Sequence, residues 1–72
     1  MLNENILGER LKLCRKSNQL TLEQIGNQLG VTKTTVSRWE KGNRLPDIPA
    51  LLALADYFDV STDYLLGRTD EE

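Results

Sequence analysis

Gly30, Val31 and Thr32 constrain this chain more than any other stretch, because one helix must stop at the first and the next is capped by the last. Glycine enters the left-handed conformation that ends a helix without a Cβ clash. A threonine hydroxyl accepts from the otherwise unpartnered N–H groups of a new first turn. A connection this short does not let the two helices fold back antiparallel, so they must cross steeply. Gly26, on the inner face of the preceding helix, suits such a crossing because a small residue lets the two backbones approach.

Similar punctuation divides the rest of the chain. A first helix is expected from about Asn5 to Ser17, with Leu7, Leu11 and Cys14 as its apolar stripe. The second is capped by Thr21, with Gln24 three residues on completing a capping box and Leu20 and Ile25 as a hydrophobic staple. The third is capped by Thr32, stapled by Val31 and Val36, and ends near Lys41 with Gly42 as its breaker. Residues 43–46 read as a loop, since Pro46 disfavours helix in the residue before it. Asp47 caps a fourth helix that tolerates Pro49 in its first turn and turns Ile48, Leu51, Leu54, Ala55 and Phe58 inward. Ser61 caps a short fifth helix, with Val60 stapled to Leu65, Asp63 near its positive end, and Gly67 as its stop. No strand period appears. The expectation is an all-α, compact five-helix bundle occupying residues 1–67, followed by a frayed acidic tail, residues 68–72.

Composition restricts what such a bundle can do. With 72 residues, 39% of them apolar, the chain can build one small core. A lone cysteine excludes an intramolecular disulfide, and with no histidine there is no soft-metal site and no imidazole base, so neither a metal, a cofactor nor an enzymatic activity is expected. Cys14 reads as a small buried hydrophobe. No apolar run approaches the length of a membrane span and the N-terminus lacks a signal-peptide core, which points to a cytoplasmic chain with no membrane partner.

The net charge of −2 hides a strong asymmetry. Residues 10–44 hold eight cations against Glu23 and Glu40, whereas residues 45–72 hold seven acids against Arg68. The third helix concentrates that basic character. At about 100° per residue, Val36 and Trp39 fall on one side, while Lys33, Thr34, Ser37, Arg38 and Lys41 share the opposite arc. A helix anchored by two apolar residues and presenting hydroxyl and cationic donors suits the major groove of DNA.

The stretch LTLEQIGNQLGVTKTTVSRWEKGNRLPDIPALLALADYFDVSTDYLLG resembles the Cro/CI-type helix-turn-helix of the XRE family of bacterial and phage regulators. The likeness rests on Leu20-Thr21, Gly30-Val31, Val36-Ser37, Trp39-Glu40-Lys41-Gly42, Pro46 and Tyr64-Leu65-Leu66-Gly67. It implies a lambda-repressor-like fold and a regulator, most often a repressor, that binds a pseudo-palindromic double-stranded DNA operator as a homodimer. Lys33, Thr34, Ser37 and Arg38 are then the candidates for base contacts, Arg38 foremost because its planar fork matches guanine. Thr21, Lys41, Asn43 and Arg44 are the candidates for phosphate. Arg15 and Glu40 match a structural ion pair of the family between the first and third helices. Leu22 departs from the family's polar phosphate clamp and either extends the core or touches a thymine methyl. Leu52, Tyr57, Tyr64 and Leu66, left outside the expected core arcs, are the candidate dimer patch. A different reading is a protein-interaction module whose partner is a toxin, an antirepressor or polymerase.

Overall fold

The structure is a computed structural model that describes residues 5–72. Five helices follow one another: α1 Ile6–Ser17, α2 Leu22–Leu29, α3 Lys33–Lys41, α4 Ile48–Phe58 and α5 Thr62–Leu66. There is no strand among the described residues. Four of the helices start from side-chain caps. Thr21, Thr32, Asp47 and Ser61 each accept from the backbone N–H three residues on, at 2.9–3.1 Å. The capping box on α2 is complete, with the Thr21 N–H donating to Gln24 Oε1 at 2.7 Å.

A shared rule links these caps to the core. Leu20, Val31 and Val60, each just before a cap, are half-buried, and Ile25, Val36 and Leu65, each at the fourth helical position, are buried. Each chain entry is thereby pinned to the interior as a staple requires. Leu11, Cys14, Val36, Trp39, Leu54, Ala55 and Tyr64 complete one core with Ile25 and Leu65. At the α2–α3 crossing, a Cβ on Gly26 would lie 2.6 Å from the Val31 carbonyl oxygen, so the steep packing depends on the absence of a side chain there.

Two sequence expectations change. Ile48 was placed on the inner face of α4 but is 71% exposed. It lies about 70° from the centre of the arc formed by Leu51, Leu54, Ala55 and Phe58, in a first turn that extends past the core. Tyr64, a candidate for the dimer patch, is 5% exposed because α5 packs on α1 and places its ring beneath Arg10. Residues 68–72, expected as a frayed tail, make contacts with the bundle: Arg68 N–H donates to the Asp63 carbonyl at 2.8 Å, and Ser61 N–H to the Glu72 carbonyl at 2.9 Å. Arg10 also binds this segment from α1.

Candidate nucleic-acid interface

Helix α3 is amphipathic in fact as well as in pattern. Val36 and Trp39 are buried, Lys33, Thr34, Arg38 and Lys41 are exposed, and Ser37 is half-buried on the same outer arc. The four residues predicted to meet bases are therefore brought together on the one face of α3 that the protein does not cover. Their hydrogen-bonding capacity differs usefully: a guanidinium fork, an ammonium and two hydroxyls can address both acceptor-rich and mixed base edges. Thr35 is turned partly inward, and its hydroxyl lies 3.0 Å from that of Thr32, which places it in the cap and not on the outer face.

The predicted phosphate set flanks this face. Asn43 and Arg44 both return their N–H groups to the Arg38 carbonyl, at 3.0 and 3.4 Å, so the loop after Lys41 curls over the end of α3. Lys41, Asn43 and Arg44 are all exposed there. Thr21 is exposed at the start of α2. Its own N–H is taken by Gln24, which leaves its hydroxyl proton and the next two backbone N–H groups at the positive end of the helix. Leu22 is half-buried against the core, which favours the first of its two sequence readings.

The angle of α3 is set from behind by α1. Arg15 grips Glu40 through two bonds, Nε to Oε2 at 2.8 Å and Nη2 to Oε1 at 3.2 Å, and also donates Nη1 to the Leu20 carbonyl at 3.1 Å. The side chains are only 15% and 8% exposed, so the pair sits where water screens it weakly. The hydrogen bonds that Arg15 donates to Glu40 raise the guanidinium's pKa above its ordinary value, against the opposing pull of burial. The ion pair is thus present where the resemblance implied it, and its geometry is that of a brace.

Two further supports escaped sequence reading. A Cβ on Gly8 would fall against the carbonyl oxygens of Glu40 and Trp39, the latter at 2.7 Å, so α1 and the end of α3 touch backbone to backbone. Asn5 adds a donor, Nδ2 to the Glu40 carbonyl at 3.4 Å. A signal for Gly8 did exist: glycine within a helix costs roughly 1 kcal/mol against alanine, and such a position usually has a packing reason.

The brace also refines the charge asymmetry. Arg15 is neutralised by Glu40 and Arg10 is paired with Asp70, so neither is available to a ligand. The exposed cations of the α3 face and its following loop are Lys33, Arg38, Lys41 and Arg44.

A model of the helix-turn-helix family matches residues 11–65. The chain belongs to that family. Among curated relatives it is 38% identical over 63 residues to the uncharacterized HTH-type transcriptional regulator YobD of Bacillus subtilis, covering 88% of this chain and 56% of that protein. The chain spans about half the length of such curated relatives. Its fold is similar to a solved transcriptional regulator from Listeria innocua, with a TM-score of 0.83 and 36% identity over 92% of this chain and 62% of that one. It is also similar to the P22 c2 repressor, from Salmonella phage P22, solved in complex with a synthetic operator: the TM-score is 0.78 at 34% identity, over 82% of this chain and 89% of that one. No helix among the described residues is long and apolar enough to cross a membrane.

Proposed function

We propose that this helix-turn-helix chain regulates transcription as a repressor, inserting α3 into the major groove of an operator. The observation that carries this reading is the outer face of α3, where Lys33, Thr34, Ser37 and Arg38 stand clear of the core while Val36, Trp39 and the Arg15–Glu40 brace hold the helix from behind. The similarity to a repressor solved on operator DNA supports it. Thr21 at one end, and Lys41, Asn43 and Arg44 at the other, grip phosphates on either side of the groove and fix the register without reading sequence. A protein-interaction module would be expected to present an apolar surface there, and this surface is polar and cationic.

The reading includes a homodimer, since one nine-residue helix spans only a few base pairs. Of the patch expected from sequence, Leu52, Tyr57 and Leu66 are exposed and remain candidates. Tyr64 leaves it, and Ile48, one turn before Leu52 on α4, joins it together with the exposed Leu45.

Selection from a random duplex pool tests the whole reading. The expected result is an enriched half-site repeated at a fixed spacing of about one helical turn. Enrichment of a single unrepeated site would refute the dimer, and no enrichment at low salt would refute sequence-specific binding.

A further inference from the structure

Four helices of this chain are capped by the side chain of the residue before them, and α1 is the exception. Asn5 stands at its N-cap, a position that suits asparagine, yet its side chain makes no capping hydrogen bond there. The carboxamide is turned instead to the far end of α3. Its Nδ2 donates to the Glu40 carbonyl at 3.4 Å. Its Oδ1 lies 2.5 Å from where a Cβ on either Gly8 or Gly42 would stand, so the group is wedged between the first turn of α1 and the glycine that ends α3.

The end of α3 needs a donor from outside. A helix leaves its last carbonyls without intrahelical partners. Gly42, at a φ of 79°, turns the chain so that its N–H donates to the Trp39 carbonyl at 3.3 Å and the Asn43 N–H to the Arg38 carbonyl at 3.0 Å. These two bonds form the Schellman pattern, and they serve Arg38 and Trp39 only. The carbonyl of Glu40, next in the chain, receives its donor from Asn5. The same turn carries Asn43 and Arg44, the exposed residues of the predicted phosphate grip.

We propose that Asn5 is a positioning residue for DNA binding: it forgoes the cap of its own helix to hold the Gly42 turn, and so fixes where Asn43 and Arg44 meet the phosphate backbone. The role rests on the reading of that turn as a phosphate contact. Gly42 is required twice over, since a side chain there would meet both a left-handed backbone and the Asn5 carboxamide, whose Cγ lies 2.9 Å from the position of its Cβ. The hold acts on the phosphate contacts and leaves the base-facing arc of α3 alone, so it sets affinity for every sequence alike.

Asn5→Ser in the full chain separates this role from plain stability. Serine caps a helix about as well as asparagine, but its side chain is too short to bridge to the Glu40 carbonyl. The melting temperature is expected to stay at or above that of the unmodified chain. Amide exchange at Gly42 and Asn43, followed by NMR, should become about fivefold faster, the scale of one net hydrogen bond. Affinity should fall about fivefold for a selected operator and for a random duplex alike, with a shallower dependence on salt. Unchanged exchange at Gly42 and Asn43 overturns the hold, and needs no DNA to do so. Faster exchange with unchanged affinity, or a loss confined to the operator, overturns the positioning role. So does a lowered melting temperature with exchange faster throughout the chain, which marks a purely structural residue. If the unmodified chain binds no duplex at low salt, the reading of the turn fails and takes the positioning role with it, while the exchange rates still decide whether Asn5 holds the turn.

Discussion

Helix α1 is joined to α3 and to α5 by arginines five residues apart, and the two seams differ in kind. At the α3 seam, Arg15 meets a carboxylate that is itself enclosed, beside a backbone contact at Gly8 that admits no side chain. At the α5 seam, Arg10 reaches out of a half-buried position to carbonyl groups, an aromatic face and a carboxylate standing almost wholly in water. The same kind of side chain therefore serves as an enclosed brace in one place and as a partly water-exposed contact in the other. Burial of the partner decides which, because an enclosed charge that loses its partner has no water to replace it.

The largest effect is expected from removing the shared anchor of the α3 seam. Trp39→Ala should cost about 3–5 kcal/mol of unfolding free energy in urea titration, and a loss below about 1 kcal/mol would show that the seam does not depend on that ring. Arg15→Ala should follow, at about 3 kcal/mol, because it strands Glu40. The double change Arg15→Met with Glu40→Leu should restore most of that loss. If the double variant were as unstable as the single one, the pair would be stabilising in its own right.

The outer face of α3 should behave as a separate region. Arg38→Ala is expected to leave the melting temperature near that of the unmodified chain while removing ~1–3 kcal/mol of discrimination at one base position, read by competition between operator variants. Lys41→Ala should weaken binding to all sequences alike and reduce the slope of log affinity against log salt by about one. Sequence preference lost in Lys41→Ala but kept in Arg38→Ala would reverse the two assignments.

The smallest expected effect lies at Cys14, where burial pushes the thiol up. A thiol whose folded pKa is raised stabilises the fold fully at low pH and loses that contribution as pH climbs past the ordinary thiol value of 9.0 through the folded one. Thermal melts of the unmodified chain should therefore fall more steeply with rising alkaline pH than those of Cys14→Ala. Parallel slopes would show that the thiol does not ionise differently in the folded chain.

What could be read without coordinates follows from the range of the forces involved. A cap is a contact across three residues and a staple across five, so Thr21, Thr32, Asp47 and Ser61, with Ile25, Val36 and Leu65, announce themselves within a single turn of helix. The two faces of α3 are equally local, because periodicity alone separates Val36 and Trp39 from Lys33, Thr34 and Arg38. Arg15–Glu40 was legible only through family resemblance, since nothing in either residue's neighbourhood joins positions separated by 25 in the chain.

Tyr64, Ile48 and the last five residues mark the boundary of that reach. Helix α5 is only five residues long, too short for periodicity to separate an inner from an outer side, and Tyr64 is buried because α1 brings Arg10 over it. Ile48 obeys an apolar pattern but stands in a turn that no neighbouring helix covers. The terminal segment is uniformly polar and carries no local reason to be ordered. Its contacts with α1 come from one guanidinium about sixty residues earlier in the chain. The sequence by itself determined where helices start and stop and which face of α3 is cationic, because those are short-range properties of caps and spacing. Only the tertiary structure decided which arginines are left for a ligand, since that depends on which carboxylates and carbonyls the fold brings within reach.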